Sequence, residues 1–212
     1  MDIGDYIMPI VIRHTPLYGF LWHIEKYASN LEKKILDCGC GGPLPPLAMF
    51  YEHGFEVHGI DIDKGRLEQA ENFGKQKGMK LNLILGDMRE LPYEDESFSF
   101  VFSYFTIFHL TKADIKMAMS EMRRILKKDG LCFVNFMTTE DGMYGEGDEL
   151  VKGECWLDEG GEKILHTFLD DDELLEFTAG FEIVSYDKRF MRRPKWWGDY
   201  QGCYFDLILQ KI

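Results

Sequence analysis

Between residues 33 and 137 short apolar runs alternate with helical patterns, and no other feature of the chain limits its fold so sharply. "KKILDC", "FEVHGID", "KLNLILGD", "FSFVFSYF" and "GLCFVNFM" are strand candidates. Three helices are expected among them: "PPLAMFYEHG", closed by Gly54; "KGRLEQAENFGKQKG", ending at Gly78; and Thr111 to Leu126. In the third, Ile115, Ala118, Met122, Ile125 and Leu126 share a face, and Thr111 with Asp114 makes a capping box. Asp63 is placed to cap the second. Strands and helices at this spacing form βαβ units, so the sheet is mainly parallel and right-handed crossovers put helices on both faces.

After the fifth strand the rhythm breaks. Positions 139–168, "TEDGMYGEGDELVKGECWLDEGGEKILHTF", are glycine-rich and acidic, long for a connection inside a compact domain. "DDDELLEFTAG" then reads as a capped helix, and "FEIVSYDKRF" and "CYFDLILQKI" as two late strands. With 212 residues, 45% of them hydrophobic, the chain suits one well-packed domain. It divides into an N-terminal cap over 1–32, a core over 33–138, the insertion over 139–168 and a C-terminal helix and strand pair over 169–212.

A formal charge of −13 repels phosphate backbones and anionic headgroups, so neither nucleic acid nor membrane is expected as a partner. No apolar run approaches the ~20 residues of a membrane span. Two acids precede the first apolar run, unlike a secretory signal, and a cytoplasmic protein is expected. The five cysteines show no disulfide or zinc spacing; they read as reduced small residues, and no metal is expected.

The first strand runs into "ILDCGCGGPLPPLAMF", a strand–glycine–helix turn of the kind that docks a nucleotide. The second strand ends in Gly59-Ile60-Asp61 and the third in Gly86-Asp87. Asp61 follows Asp37 at close to the offset at which an acid meets a ribose, and as a strand-end acid facing a cleft it should have few packing contacts. Gly39 and Gly41 permit close backbone approach. Yet Pro43, Pro45 and Pro46 remove N–H donors where a pyrophosphate would need them, and Asp37 adds a negative charge. Both features disfavour a dinucleotide and a nicotinamide dehydrogenase. They suit a nucleoside whose tail carries an ammonium and a sulfonium, which is S-adenosylmethionine.

Four segments in order, "ILDCGCGG", "VHGIDID", "LILGDMRELPYEDESFSFVFSYFTIFHL" and "MRRILKKDGLCFVNF", resemble the successive motifs of the class I S-adenosylmethionine-dependent methyltransferase family, small-molecule type. One position departs: Pro43 stands where the family usually has a third glycine. The resemblance implies a single doubly wound, Rossmann-like sheet of seven mostly parallel strands, with helices on both faces and the last strand antiparallel. It also implies the cofactor contacts. Asp37 would accept from the methionine ammonium, with Gly39, Cys40 and Gly41 lining that moiety. Asp61 would hold the ribose hydroxyls, with Ile62 against the adenine. Asp87 would accept from the adenine amino group and the Met88 amide would donate to a ring nitrogen. Ser103 and Tyr104 would border the transferred methyl group.

Methyl transfer from a sulfonium demands alignment before it demands a base. His109 and Tyr104 are the base candidates; the competing readings are a packed histidine at a helix entrance and an aromatic wall. Tyr18 and Trp22 in the N-terminal segment, and Trp156 and His166 in the insertion, are the acceptor-site candidates, both segments standing at usual lid positions. Tyr6, and Arg192, Arg193, Trp196 and Trp197 of "RRPKWWGDY", are further aromatic and cationic possibilities. The expected partner is a small-molecule acceptor, with the chain a monomer or homodimer. A non-catalytic S-adenosylmethionine-binding sensor or partner subunit would use the same motifs.

Overall fold

The structure is a computed structural model that describes residues 15–192 and 201–212. Among the described residues ten strands form the sheet: β1 (Lys34–Cys38), β2 (Glu56–Asp61), β3 (Leu83–Leu85), β4 (Phe98–Ser103), β5 (Leu126–Thr138), β6 (Asp148–Val151), β7 (Glu154–Glu159), β8 (Glu162–Leu169), β9 (Phe181–Arg192) and β10 (Gln201–Lys211). Seven of them follow the expected layout, in the order β3-β2-β1-β4-β5-β10-β9. β1 to β5 run parallel, and β10 is antiparallel to both neighbours. Chain order reverses at β1, which β2 and β4 flank; ligands of open α/β sheets bind beyond the strand ends at such a point.

Strand alternation sends side chains to two cores. Ile35, Phe100, Phe102, Phe133 and Ile208 face α1 (Thr15–Tyr27), α2 (Leu47–Glu52) and α3 (Lys64–Lys77). Leu36, Val101, Cys132 and Val134 face α4 (Lys112–Ile125). The cap signals are present as residues. Thr111 Oγ1 accepts from the Asp114 amide at 3.1 Å and donates to its carboxylate at 2.9 Å. Asp63 accepts from the Arg66 amide at 2.9 Å, and Gly78 closes α3 in the left-handed conformation. All five cysteines are buried and unpaired.

Two expectations are corrected. "DDDELLEFTAG" forms no α-helix, only a 3-10 turn over Leu174–Phe177. Asp170 accepts from the Glu173 amide at 2.9 Å, which closes the preceding turn, but Glu173, at the N-cap of the 3-10 segment, makes no side-chain cap bond. Only Leu174 and Phe177 have a core to enter, and their three-residue spacing is met by one 3-10 turn. The other is the insertion, which adds three strands to the seven expected. β6, β7 and β8 make an antiparallel meander. Its glycines are turn residues: Gly160 and Gly161, both at positive φ, are the two-residue loop between Glu159 and Glu162, and Gly153 serves the preceding hairpin. β8 joins the main sheet at Met137 and Thr138 of β5. Met137 also pairs with Tyr204 of β10, so β8 takes the edge of β5 that β4 leaves free beyond Val134.

Candidate functional site

The turn after β1 is shaped by contacts only glycine can make. Gly39 has φ +100°, its N–H donates to the Ile60 carbonyl at 2.8 Å, and a Cβ there would lie 2.2 Å from Thr106 Cγ2. A Cβ on Gly41 would lie 2.6 Å from Asp61 Oδ2. Gly41 donates its N–H to that oxygen at 2.7 Å, and the Asp63 amide donates to Asp61 Oδ1 at 2.8 Å. Asp61 is therefore buried and holds two turns together, contrary to its expected isolation. Each of its oxygens keeps a further lone pair for a ligand hydroxyl.

Asp37 is 1% exposed, and its Oδ2 is a buried acceptor with no hydrogen-bond partner. Burial, with the nearby Asp61 charge adding to it, holds its carboxyl well above the ordinary carboxylate range. An unsatisfied buried acceptor is costly. A cationic ligand group would satisfy the oxygen and favour its charge, whereas a phosphate would do neither. The residues fit an ammonium-bearing ligand.

Beside this turn lies a cleft of about 150 Å³. Gly39, Asp61, Ile62, Gly86, Asp87 and Met88 border it, all strand-end positions. Ile62 is 70% exposed there, as an apolar platform must be. Asp87 is clasped by Arg89, which donates through Nη2 at 2.6 Å and its amide at 2.8 Å; these bonds lower its carboxyl pKa. Arg89 also pairs with Asp114 at 3.1 Å, tying the β3 end to α4. Among the remaining expected residues, Cys40 is buried behind the turn, where a Cβ on Gly59 would come within 2.6 Å of its Sγ. Ser103 and Tyr104 are also buried and border neither this cleft nor its neighbour; burial raises the Tyr104 phenol, so it stays protonated. Thr106, Arg89 and Leu110, which sequence reasoning missed, border the cleft.

His109 borders this cleft and a second one of about 370 Å³. The second is walled by Phe105, Phe108, Met137 and Tyr204, with Met143, Glu159 and His166 from the insertion. The His109 and His166 rings meet edge-on at 4.6 Å. The other acceptor-site candidates are elsewhere. Tyr18 packs half-buried on the α1-side core, and Trp22 is 54% exposed, edge-on to His23 and Tyr27. Trp156 is 39% exposed on β7 and borders neither cleft. Arg192 is exposed at the end of β9, while Tyr6, Arg193, Trp196 and Trp197 lie outside the described residues.

Residues 36–134 match the family model for a methyltransferase domain. The chain belongs to the class I S-adenosylmethionine-dependent methyltransferase family. It is 31% identical over 160 residues to sterol 24-C-methyltransferase ERG6B of Gibberella zeae, covering 73% of this chain and 40% of that one. It is 31% identical over 144 residues to the ubiquinone biosynthesis O-methyltransferase of Rickettsia prowazekii, covering 66% of this chain and 55% of the relative. The chain thus spans about half the length of these curated relatives. Its fold is that of a SAM-dependent methyltransferase from Methanosarcina mazei, with TM-score 0.74, 19% identity and 87% of this chain and 96% of that one covered. Among the described residues no helix is long and apolar enough to cross a membrane.

Proposed function

We propose that this chain transfers a methyl group from S-adenosylmethionine to a small-molecule acceptor held in the second cleft. The observation that carries the reading is the meeting of two clefts at His109, one bordered by the strand-end residues Gly39, Asp61 and Asp87 and one lined in part by aromatic rings. When bound, the cofactor supplies an electrophilic methyl group on a sulfonium. The protein's residues bind and align. Asp37 takes the ammonium, the Gly39 turn lets backbone approach, and Asp61 accepts from the ribose hydroxyls while still holding Gly41. Ile62 packs on the base, and Asp87 and the Met88 amide read its polar edge. Alignment of this kind supplies roughly 7–11 kcal/mol of a displacement barrier. The acidic chain favours a small molecule over a nucleic acid.

Calorimetry with S-adenosylhomocysteine tests the binding half; the expected affinity is micromolar, about −8 kcal/mol. Turnover of methyl-labelled cofactor against an acceptor panel tests the catalytic half. Saturable binding with no transfer to any acceptor class would favour the sensor or partner-subunit reading. No binding up to millimolar ligand would remove both.

A further inference from the structure

The second cleft specifies the chemistry of what enters it. Its lining mixes Phe105, Phe108, Met137, Met143 and Tyr204 with His109, His166 and Glu159, and among the described residues no lysine or arginine borders it. An anionic acceptor would lose its hydration there and face the Glu159 carboxylate without compensation. A cationic one would have to compete for Glu159, whose Oε1 already lies 3.1 Å from His166 Nε2. The other His166 nitrogen donates to the Ile164 carbonyl at 3.3 Å. That pair is engaged with its own strands.

His109 is differently placed. Its Nδ1 is 3.0 Å from the Leu165 carbonyl, which can only accept, so the ring proton sits on Nδ1. A neutral ring then leaves Nε2 as a lone-pair acceptor. The ring is neutral because burial pulls its pKa down to about 4; His166 and Arg66 push the same way, and Glu159 and the Leu165 bond oppose them.

We propose that the methyl acceptor is an uncharged molecule whose reacting hydroxyl donates its hydrogen bond to Nε2 of His109. This rests on the methyl-transfer reading above. The bond turns an oxygen lone pair toward the cofactor side of His109, the residue both clefts share. As the new O–C bond forms and the donor S–C bond breaks, the hydroxyl becomes that of an oxonium, a far stronger acid than any imidazolium. Its proton passes to Nε2 and from there to water. A ring that is rarely protonated beforehand is always ready to receive it, so no titration in the ordinary histidine range should appear in the rate.

The test uses fluorine NMR titrations of the protein saturated with S-adenosylhomocysteine, with four single-ring probes: para-fluorophenol, para-fluorotoluene, para-fluorobenzoate and para-fluorobenzylammonium. The phenol is expected to bind roughly tenfold more tightly than its methyl counterpart, the scale of one buried hydrogen bond, and both charged probes more weakly still. His109→Phe should erase the preference for the phenol, and His109→Gln, which keeps an acceptor oxygen, should restore most of it. Equal binding of phenol and toluene, tightest binding by a charged probe, or an intact preference in His109→Phe would each overturn the proposal. If His109→Phe does not fold, the four-probe ranking and His109→Gln decide. Homocysteine-analogue binding is measured on each protein beforehand; its absence counts against the donor site itself, and the probe ranking on the ligand-free chain still tests the acceptor class.

Discussion

The two clefts that meet at His109 are built by different means. The smaller is made of strand ends and tight turns, with Gly39, Asp61, Gly86 and Asp87 each next to the backbone they position. The larger is made of side chains from four separated segments: the stretch after β4, the end of β5, the insertion and the start of β10. The first depends on local conformation, and a single atom can jam it. The second depends on tertiary packing, and its members can be exchanged one at a time. Mutations should therefore divide by cleft in both size and kind.

The largest effect is expected at Gly39. An alanine there meets Thr106 at 2.2 Å and is strained by φ +100°; together these cost about 2–5 kcal/mol of stability. Adding Thr106→Gly should recover the contact but not the strain, so denaturant unfolding of the double mutant lands between the two. Full recovery would show that the backbone is not strained.

Asp61→Ala removes the partner of two amides, at 2.7 and 2.8 Å. It should lose about 2–3 kcal/mol in unfolding experiments as well as affinity for S-adenosylhomocysteine. Weakened binding at unchanged stability would mean the turn holds itself.

Asp37→Asn should separate the two quantities. Affinity falls by about 1.5–3 kcal/mol, the range for a hydrogen bond to a charged group, while the ligand-free protein becomes more stable at neutral pH. The sign follows from the raised carboxyl of Asp37. A group with a folded pKa above its unfolded value contributes stability below the unfolded value, and loses it as pH rises through the folded one. For the same reason native affinity should climb with pH and level off above the raised pKa, whereas the asparagine variant stays flat. Calorimetry across that window checks both; a pH-independent native affinity would contradict the assignment.

The smallest effect belongs to the larger cleft's periphery. Trp156→Ala, on a half-exposed ring that borders neither cleft, should change stability and cofactor affinity by under ~0.5 kcal/mol. A larger loss of turnover would place the indole on the acceptor's path.

The same division decided what could be read in the sequence. The strand-end positions of Asp37, Gly39, Asp61 and Asp87 are legible because strand ends and turns carry local signatures, and the mainly parallel sheet follows from the alternation, whereas Ile62 and Met88 enter only through the family resemblance. Thr106, Arg89 and Glu159 are not legible, since nothing near them in sequence records what they meet in space. The insertion read as loop because glycine and acid suppress the strand signal, although Gly160-Gly161 between two runs is itself a hairpin mark. Trp22 and Trp156 drew attention as large aromatics in variable segments, a compositional clue that says nothing about which way a ring faces.

The attachment of the meander has a mechanical consequence. β8 is fastened to the rest of the protein by its pairs with Met137 and Thr138, by His109 on the Leu165 carbonyl and by Thr167 Oγ1 donating to the Leu110 carbonyl at 2.6 Å. β7 buries Glu154, Cys155 and Leu157, with Glu154 accepting from the Lys112 amide at 2.7 Å, and β6 buries none of its four residues. Anchorage thus thins strand by strand away from the core. Fluctuations of the insertion should begin at β6 and die out before β8, so that amide protons there exchange last. His166 therefore rides on the quiet edge of a fraying ribbon, and the geometry at His109 is insulated from motion at its rim.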